Sequence, residues 1–177
     1  MSRKTIKVFA LLLTVGMVFS LAACNKKQIT AEKFMSAIEE NGLVGEIVPE
    51  GSAGGEGSNL VEGAYGTGPV DNPIYSAYFY RFSGKEAAIE KYESVLAQYQ
   101  QIIDSEEVKG TVDESGKGNM KRVVINANPI AEDGALGFYS VTVQVDNIAI
   151  TLVANDNSAD SIEKIDSILK DCGYYYP

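Results

Sequence analysis

"FYSVTVQVDNIAITLVA", residues 138–154, is the stretch on which the fold turns. Apolar and polar residues alternate on both sides of Asp146-Asn147, two residues that tolerate the positive φ of a two-residue type I′ turn. With the turn there, Tyr139, Val141, Val143 and Val145 share one face with Ile148, Ile150, Leu152 and Ala154. A slip of one residue would turn the whole set outwards, so the pattern sets the register as well as the hairpin. The other face, with Ser140, Thr142, Gln144, Ala149 and Thr151, is expected to be partly wet.

Outward from the hairpin, "KRVVINA" (121–127) reads as a third strand, before turn signals at Asn128-Pro129 and Asp133-Gly134. The polar segment 104–119 offers only Val108 and Val112 to a short, weak strand. "IYSAYFYRF" (74–82) is an aromatic-rich strand, with Tyr78, Tyr80 and Phe82 on one face and Tyr75, Ala77 and Phe79 on the other. Both faces are fairly apolar, as in a central strand covered on two sides. Ser83 and Glu86 form a capping-box pattern, and Ile89, Tyr92, Leu96, Tyr99 and Ile103 then recur as one helical stripe. Thr30 is a suitable N-cap for an earlier helix that ends at Asn41-Gly42, and a short strand, Val44 to Val48, follows it. The last helix starts after Asn157 or Ser158, buries Ile162, Ile165, Ile168, Leu169 and Cys172, and stops at Gly173.

Between the first two strands the composition changes. Residues 49–73 hold seven glycines and three prolines, with four acidic residues and no basic one, and read as a long loop in which Asn59 to Tyr65 form at most a weak strand. The expected fold is therefore α+β: a single domain, residues 29–177, with an antiparallel sheet of about four to five strands and about three helices packed mainly on one face.

The N-terminus is of another kind. Arg3, Lys4 and Lys7 precede the apolar run Val8 to Leu21, which is too short for a bilayer span of about 20 residues and has the form of an export signal. Leu21-Ala22-Ala23-Cys24 resembles the bacterial lipobox. In lipoproteins that carry it, the Cys thiol receives diacylglycerol and the chain is cut just before it. The resemblance implies a signal peptide 1–23, lipidation at Cys24, a tether 24–28, and a mature protein on the outer face of the cell membrane. The helix and Gly-Tyr ending at the C-terminus is similar to small cell-surface lipoproteins of Gram-positive bacteria, a group that transfers no activity and no site residue.

Loss of residues 1–23 removes three of 15 basic residues and no acidic one, leaving 12 against 24, a net charge of −12. Such a surface repels phosphate backbones, and nucleic acid is not an expected partner. Histidine is absent from the sequence, which excludes Ser-His-Asp and Cys-His catalysis and the usual zinc sites. With Cys24 lipidated, Cys172 has no partner for a disulfide and reads as a buried thiol.

Glu39-Glu40, Glu106-Glu107 and Glu132-Asp133 are carboxylate pairs at helix ends or in loops, where neighbours do not converge on one atom. "NDNSAD" (155–160) lacks the glycine and glutamate of a calcium loop and suits helix capping. No cofactor is expected. Tyr65 in the glycine-rich stretch and Tyr174, Tyr175 and Tyr176 at the end fall outside core periodicities, and are the candidate contact surface for a protein or small-molecule ligand. The expected function is a non-catalytic, lipid-anchored binding module. The alternatives are a small enzyme using carboxylates and tyrosines, and an accessory subunit of a transporter or envelope complex.

Overall fold

The structure, a computed structural model, describes residues 27–48, 59–69, 74–105, 108–130 and 137–176. Cys24, the signal segment and much of the glycine-rich stretch (49–58 and 70–73) lie outside the described residues. The chain runs α1 (Ala31–Glu40), β1 (Val44–Val48), β2 (Leu60–Gly68), β3 (Tyr75–Phe82), α2 (Lys85–Asp104), β4 (Val108–Lys117), β5 (Met120–Pro129), β6 (Phe138–Val145), β7 (Ile148–Ala154) and α3 (Ala159–Asp171).

One seven-stranded sheet results, in the order β1-β2-β3-β7-β6-β5-β4, with antiparallel neighbours throughout. The expectation of four to five strands was too low. Two segments that looked too polar or too glycine-rich are full strands: β2 pairs on both sides with β1 and β3, and β4 pairs with β5 along its whole length. Both pair through backbone groups of the ladder, with few apolar side chains to add: Val108 and Val112 of β4 pack beneath α2, and Ala64 of β2 joins the main core.

The central hairpin keeps the register that its pattern sets, but its turn is not of type I′: of the two turn residues Asp146 has a positive φ and Asn147 does not. Val145 pairs with Ile148, Tyr139 pairs with Ala154, and Asp146 has φ 50°. The face carrying Val141, Val143, Ile148, Ile150 and Leu152 packs with Phe34 and Ile38 of α1 and Ile165, Ile168 and Leu169 of α3. Thr30 caps α1 through its side chain, and Gly42 (φ 78°) and Gly173 (φ 77°) adopt the left-handed conformation that ends a helix. In β2 the chain needs Gly66 because Ile38 of α1 rests where its Cβ would stand.

The opposite face is not wet where β5, β6 and β7 cross it. There α2 lies over the sheet, burying Ala88, Tyr92, Val95 and Tyr99, and the helices therefore occupy both faces. Ser140 and Thr142 are buried, and the Tyr99 hydroxyl meets them at 2.5 and 3.4 Å. Ser140 also donates to the Leu152 carbonyl, and Thr142 and Thr151 share a hydrogen bond of 3.0 Å. Bonds within the sheet, together with the hydroxyl brought by the helix, thus satisfy the polar row and allow its burial. The capping box does not form either: Gly84 takes the N-cap position, with no side-chain hydrogen bond.

Candidate functional site

Starting beside the end of β3, α2 runs to the start of β4 at the far edge of the sheet, touching β3, β7, β6, β5 and β4. Its path leaves the β1–β2 end of that face uncovered by any described helix. The strand pleat places Tyr65 of β2 and Tyr78 and Tyr80 of β3 on this bare portion, with Tyr65 paired directly opposite Tyr78. Tyr65 is 41% exposed and Tyr78 38%, high values for large rings.

Along β3 the Tyr78 and Tyr80 rings are 6.4 Å apart at 7°, and Tyr80 and Phe82 are 6.2 Å apart at 19°. The Lys91 ammonium of α2 stands 4.7 Å over the Tyr80 ring and closes the row on the helix side. Beside these rings lies a depression of about 140 Å³, lined by Val48, Leu60, Gly63, Tyr65, Tyr78 and Tyr80 among others. Apolar cavities of about 150 Å³ accept a benzene ring. Gly63 forms part of this wall; a Cβ there would meet Val48 Cβ at 3.5 Å and Leu60 Cδ2 at 3.7 Å, both ordinary contacts.

At the rim the Tyr65 hydroxyl donates to Glu46 Oε1 at 2.9 Å, and this bond to a carboxylate raises the phenol pKa. The other nearby carboxylate, Glu62, belongs to the opposite face. There it accepts from Arg81 Nε at 2.5 Å and from the Ala31 amide at 2.7 Å, tying α1 to the sheet. The depression is thus an apolar, aromatic recess with one hydrogen-bonded phenol at its rim. It can hold a ring or a branched aliphatic group.

The C-terminal tyrosines do not join it. Tyr174 is 1% exposed, lies in the main core, and donates its hydroxyl to the Lys27 carbonyl at 2.9 Å. Tyr175 and Tyr176 are half-buried, under the ammonium groups of Lys170 (4.6 Å) and Lys117 (5.5 Å). Of the four tyrosines singled out in the sequence, Tyr65 alone lines the recess. Tyr78 and Tyr80 read there as core because their strand is central; which part of a face a helix leaves open is not written in the strand itself.

The remaining chemistry-bearing residues are dispersed. Glu39 and Glu40 are exposed at the end of α1, whereas Glu106-Glu107 and Glu132-Asp133 lie outside the described residues. In "NDNSAD", Asp156 accepts from the Ser158 amide at 2.8 Å, Ser158 caps α3, and Asn157 donates to Asn126 and Asn128. The bond from Ser158 lowers the Asp156 pKa. Cys172 is buried, and burial pushes its thiol up to about 12. On the α3 face, Arg122 Nε and Asp166 Oδ1 are buried without a hydrogen-bond partner, and burial raises the Asp166 pKa against the opposing pull of Arg122 and Lys170. Among the described residues no three His, Cys, Asp or Glu side chains gather as metal ligands, and no helix is long and apolar enough to cross a membrane.

No family model and no curated protein matches the chain. Among solved structures, the extracellular domain of PknH from Mycobacterium tuberculosis aligns with 82% of this chain and 92% of its own, at 9% identity and a TM-score of 0.36, a likeness that carries no argument about fold or function.

Proposed function

We propose that the chain is an extracytoplasmic lipoprotein, anchored through diacylglycerol on Cys24, whose folded domain binds rather than transforms its ligand. The observation that carries the binding reading is the recess over β1–β3, where Tyr65, Tyr78 and Tyr80 meet Val48 and Leu60 beside the side-chain-free Gly63. Aromatic rings offer large contact area at low entropic cost, and the recess matches one apolar side group or ring of a partner. A lone surface carboxylate at its rim, Glu46, is hydrogen-bonded to a phenol and makes no acid–base pair. The lipobox Leu21-Ala22-Ala23-Cys24 supports the anchor.

The recess is tested by titrating the mature domain with toluene and following backbone amides by NMR. Shifts centred on Gly63, Tyr65 and Tyr78, weakened in Gly63→Ala, are expected; no shift at millimolar toluene would sink the binding reading. The anchor is tested separately. Cys24→Ala leaves the chain unprocessed or releases it from membranes, and undiminished lipid labelling of that variant refutes the assignment.

A further inference from the structure

Resting on the anchor proposed above, we infer that the end of the domain bearing the β6–β7 turn is a membrane-facing surface that lies against an anionic lipid bilayer. The first described residues after Cys24 are fastened to this end: Gln28 Nε2 donates to Asn147 Oδ1 in the β6–β7 turn at 2.9 Å, and Lys27 is held through its carbonyl by Tyr174. Two residues, 25 and 26, separate the lipidated cysteine from that fastening, so three Cα–Cα steps join Cys24 to Lys27. Fully extended, they reach about 11 Å. That is close to the Debye length of about 8–10 Å, so charges at this end lie within the field of the headgroups.

The two ends of the sheet differ in charge: lysines gather at one, and the other is predominantly acidic. Register puts the β6–β7 turn, the β4–β5 turn and the end of β3 on one side. Lys27, Lys85, Lys117 and Lys121 are exposed there, with Glu86, Asp146 and Glu114 against them, the last bonded to the Tyr92 hydroxyl whose ring lies under Lys121; Glu62–Arg81, Glu32 with Lys33, and Asp171 with Lys170 cancel. The chain between Val48 and Asn59 carries Glu50 and Glu56 and lies outside the described residues. At the opposite end stand Glu39, Glu40, Asp104, Asp156 and Asp160, with Lys109 against them. In a mature chain of net charge −12, a lysine-bearing end at the point where the tether enters is what an anionic surface would attract. Each lysine near such a surface is worth about a fivefold increase in partition.

The test uses the processed, lipidated protein in phosphatidylcholine vesicles with and without phosphatidylglycerol. Fluorophores on Ser83→Cys, at the lysine end, and Ile130→Cys, at the acidic end, are quenched by nitroxide-headgroup lipid. Several-fold stronger quenching at position 83 is expected. It should deepen with phosphatidylglycerol and fall in a Lys85→Glu/Lys117→Glu/Lys121→Glu variant that still folds by circular dichroism and still sediments with the vesicles. Equal quenching at the two positions, or quenching at 83 that the triple variant does not change, overturns the inference while leaving the anchor standing. Failure of the processed chain to sediment with vesicles overturns the anchor and the inference with it.

Discussion

The two ends of one sheet face are built from similar material and put to different use. Beneath α2, the polar row Ser140, Thr142 and Thr151 is sealed by Val95 and Tyr99 and has no exposed member. Beyond the helix, Tyr65 and Tyr78 are more than a third exposed although they are larger and more apolar. Side-chain hydrophobicity therefore does not decide which part of this face is core. The path of one 20-residue helix does. Where it passes, it supplies the hydroxyl partner that burial of polar groups requires; where it does not, rings remain at the surface and a recess opens between them.

The hardest blow to this contrast is Tyr99→Ala, which removes a buried ring and the hydroxyl that meets Ser140 and Thr142. It is expected to cost about 3–5 kcal/mol in equilibrium denaturation. A loss below about 1 kcal/mol would mean that the covered half is no more core than the bare one. Next come two glycines of β2 on opposite faces. Gly66→Ala pushes a methyl into Ile38 and is expected to cost about 1–3 kcal/mol. Gly63→Ala meets only ordinary contacts and should stabilise by about 0.4–1 kcal/mol, since it restricts the unfolded chain. Equal effects at the two positions would erase the distinction between the packed and the open side of that strand.

Asp166→Asn probes the α3 face with a smaller effect. Burial raises the folded-state pKa, so the native state holds its proton more tightly than the unfolded chain, and stability falls as pH rises from the unfolded to the folded value. The asparagine variant should thus be slightly more stable at neutral pH, by less than about 0.5 kcal/mol after solvent screening, and lose that advantage in acid. A stability gain that is independent of pH would contradict it. The smallest effect belongs to Tyr65→Ser, which should leave the denaturation midpoint unchanged within error while abolishing toluene shifts at Gly63.

What the sequence disclosed follows the same division. Alternation about Asp146-Asn147 revealed the central hairpin down to its register, since each strand has one face that must be dry. Helix ends were legible where a residue acts alone, as with Thr30, Gly42 and Gly173. The edges of the sheet were not. β4 has the sequence "VKGTVDESGK", whose pairing to β5 uses backbone groups that every residue carries. β2 looked like a loop because glycines that admit Ile38 resemble glycines that merely bend. The polar face of β6 looked wet because its partner, Tyr99, lies more than 40 residues away in the chain. Tyr65 was singled out by its lack of periodicity; Tyr78 and Tyr80 were hidden by having it.

The pairing of β3 with β7 has a consequence for how such a chain is made. Residues 75–81 find their central neighbour only in residues 148–154. A polypeptide emerging from its N-terminus therefore carries β3 past the point of synthesis with one edge vacant until almost the whole chain is out. During that interval the aromatic row of β3 and its free backbone edge together invite pairing with another copy. Chains truncated before Ile148 should accumulate as aggregates rather than as stable half-domains, and β7, near the end of the sequence, acts, in effect, as the protector of β3.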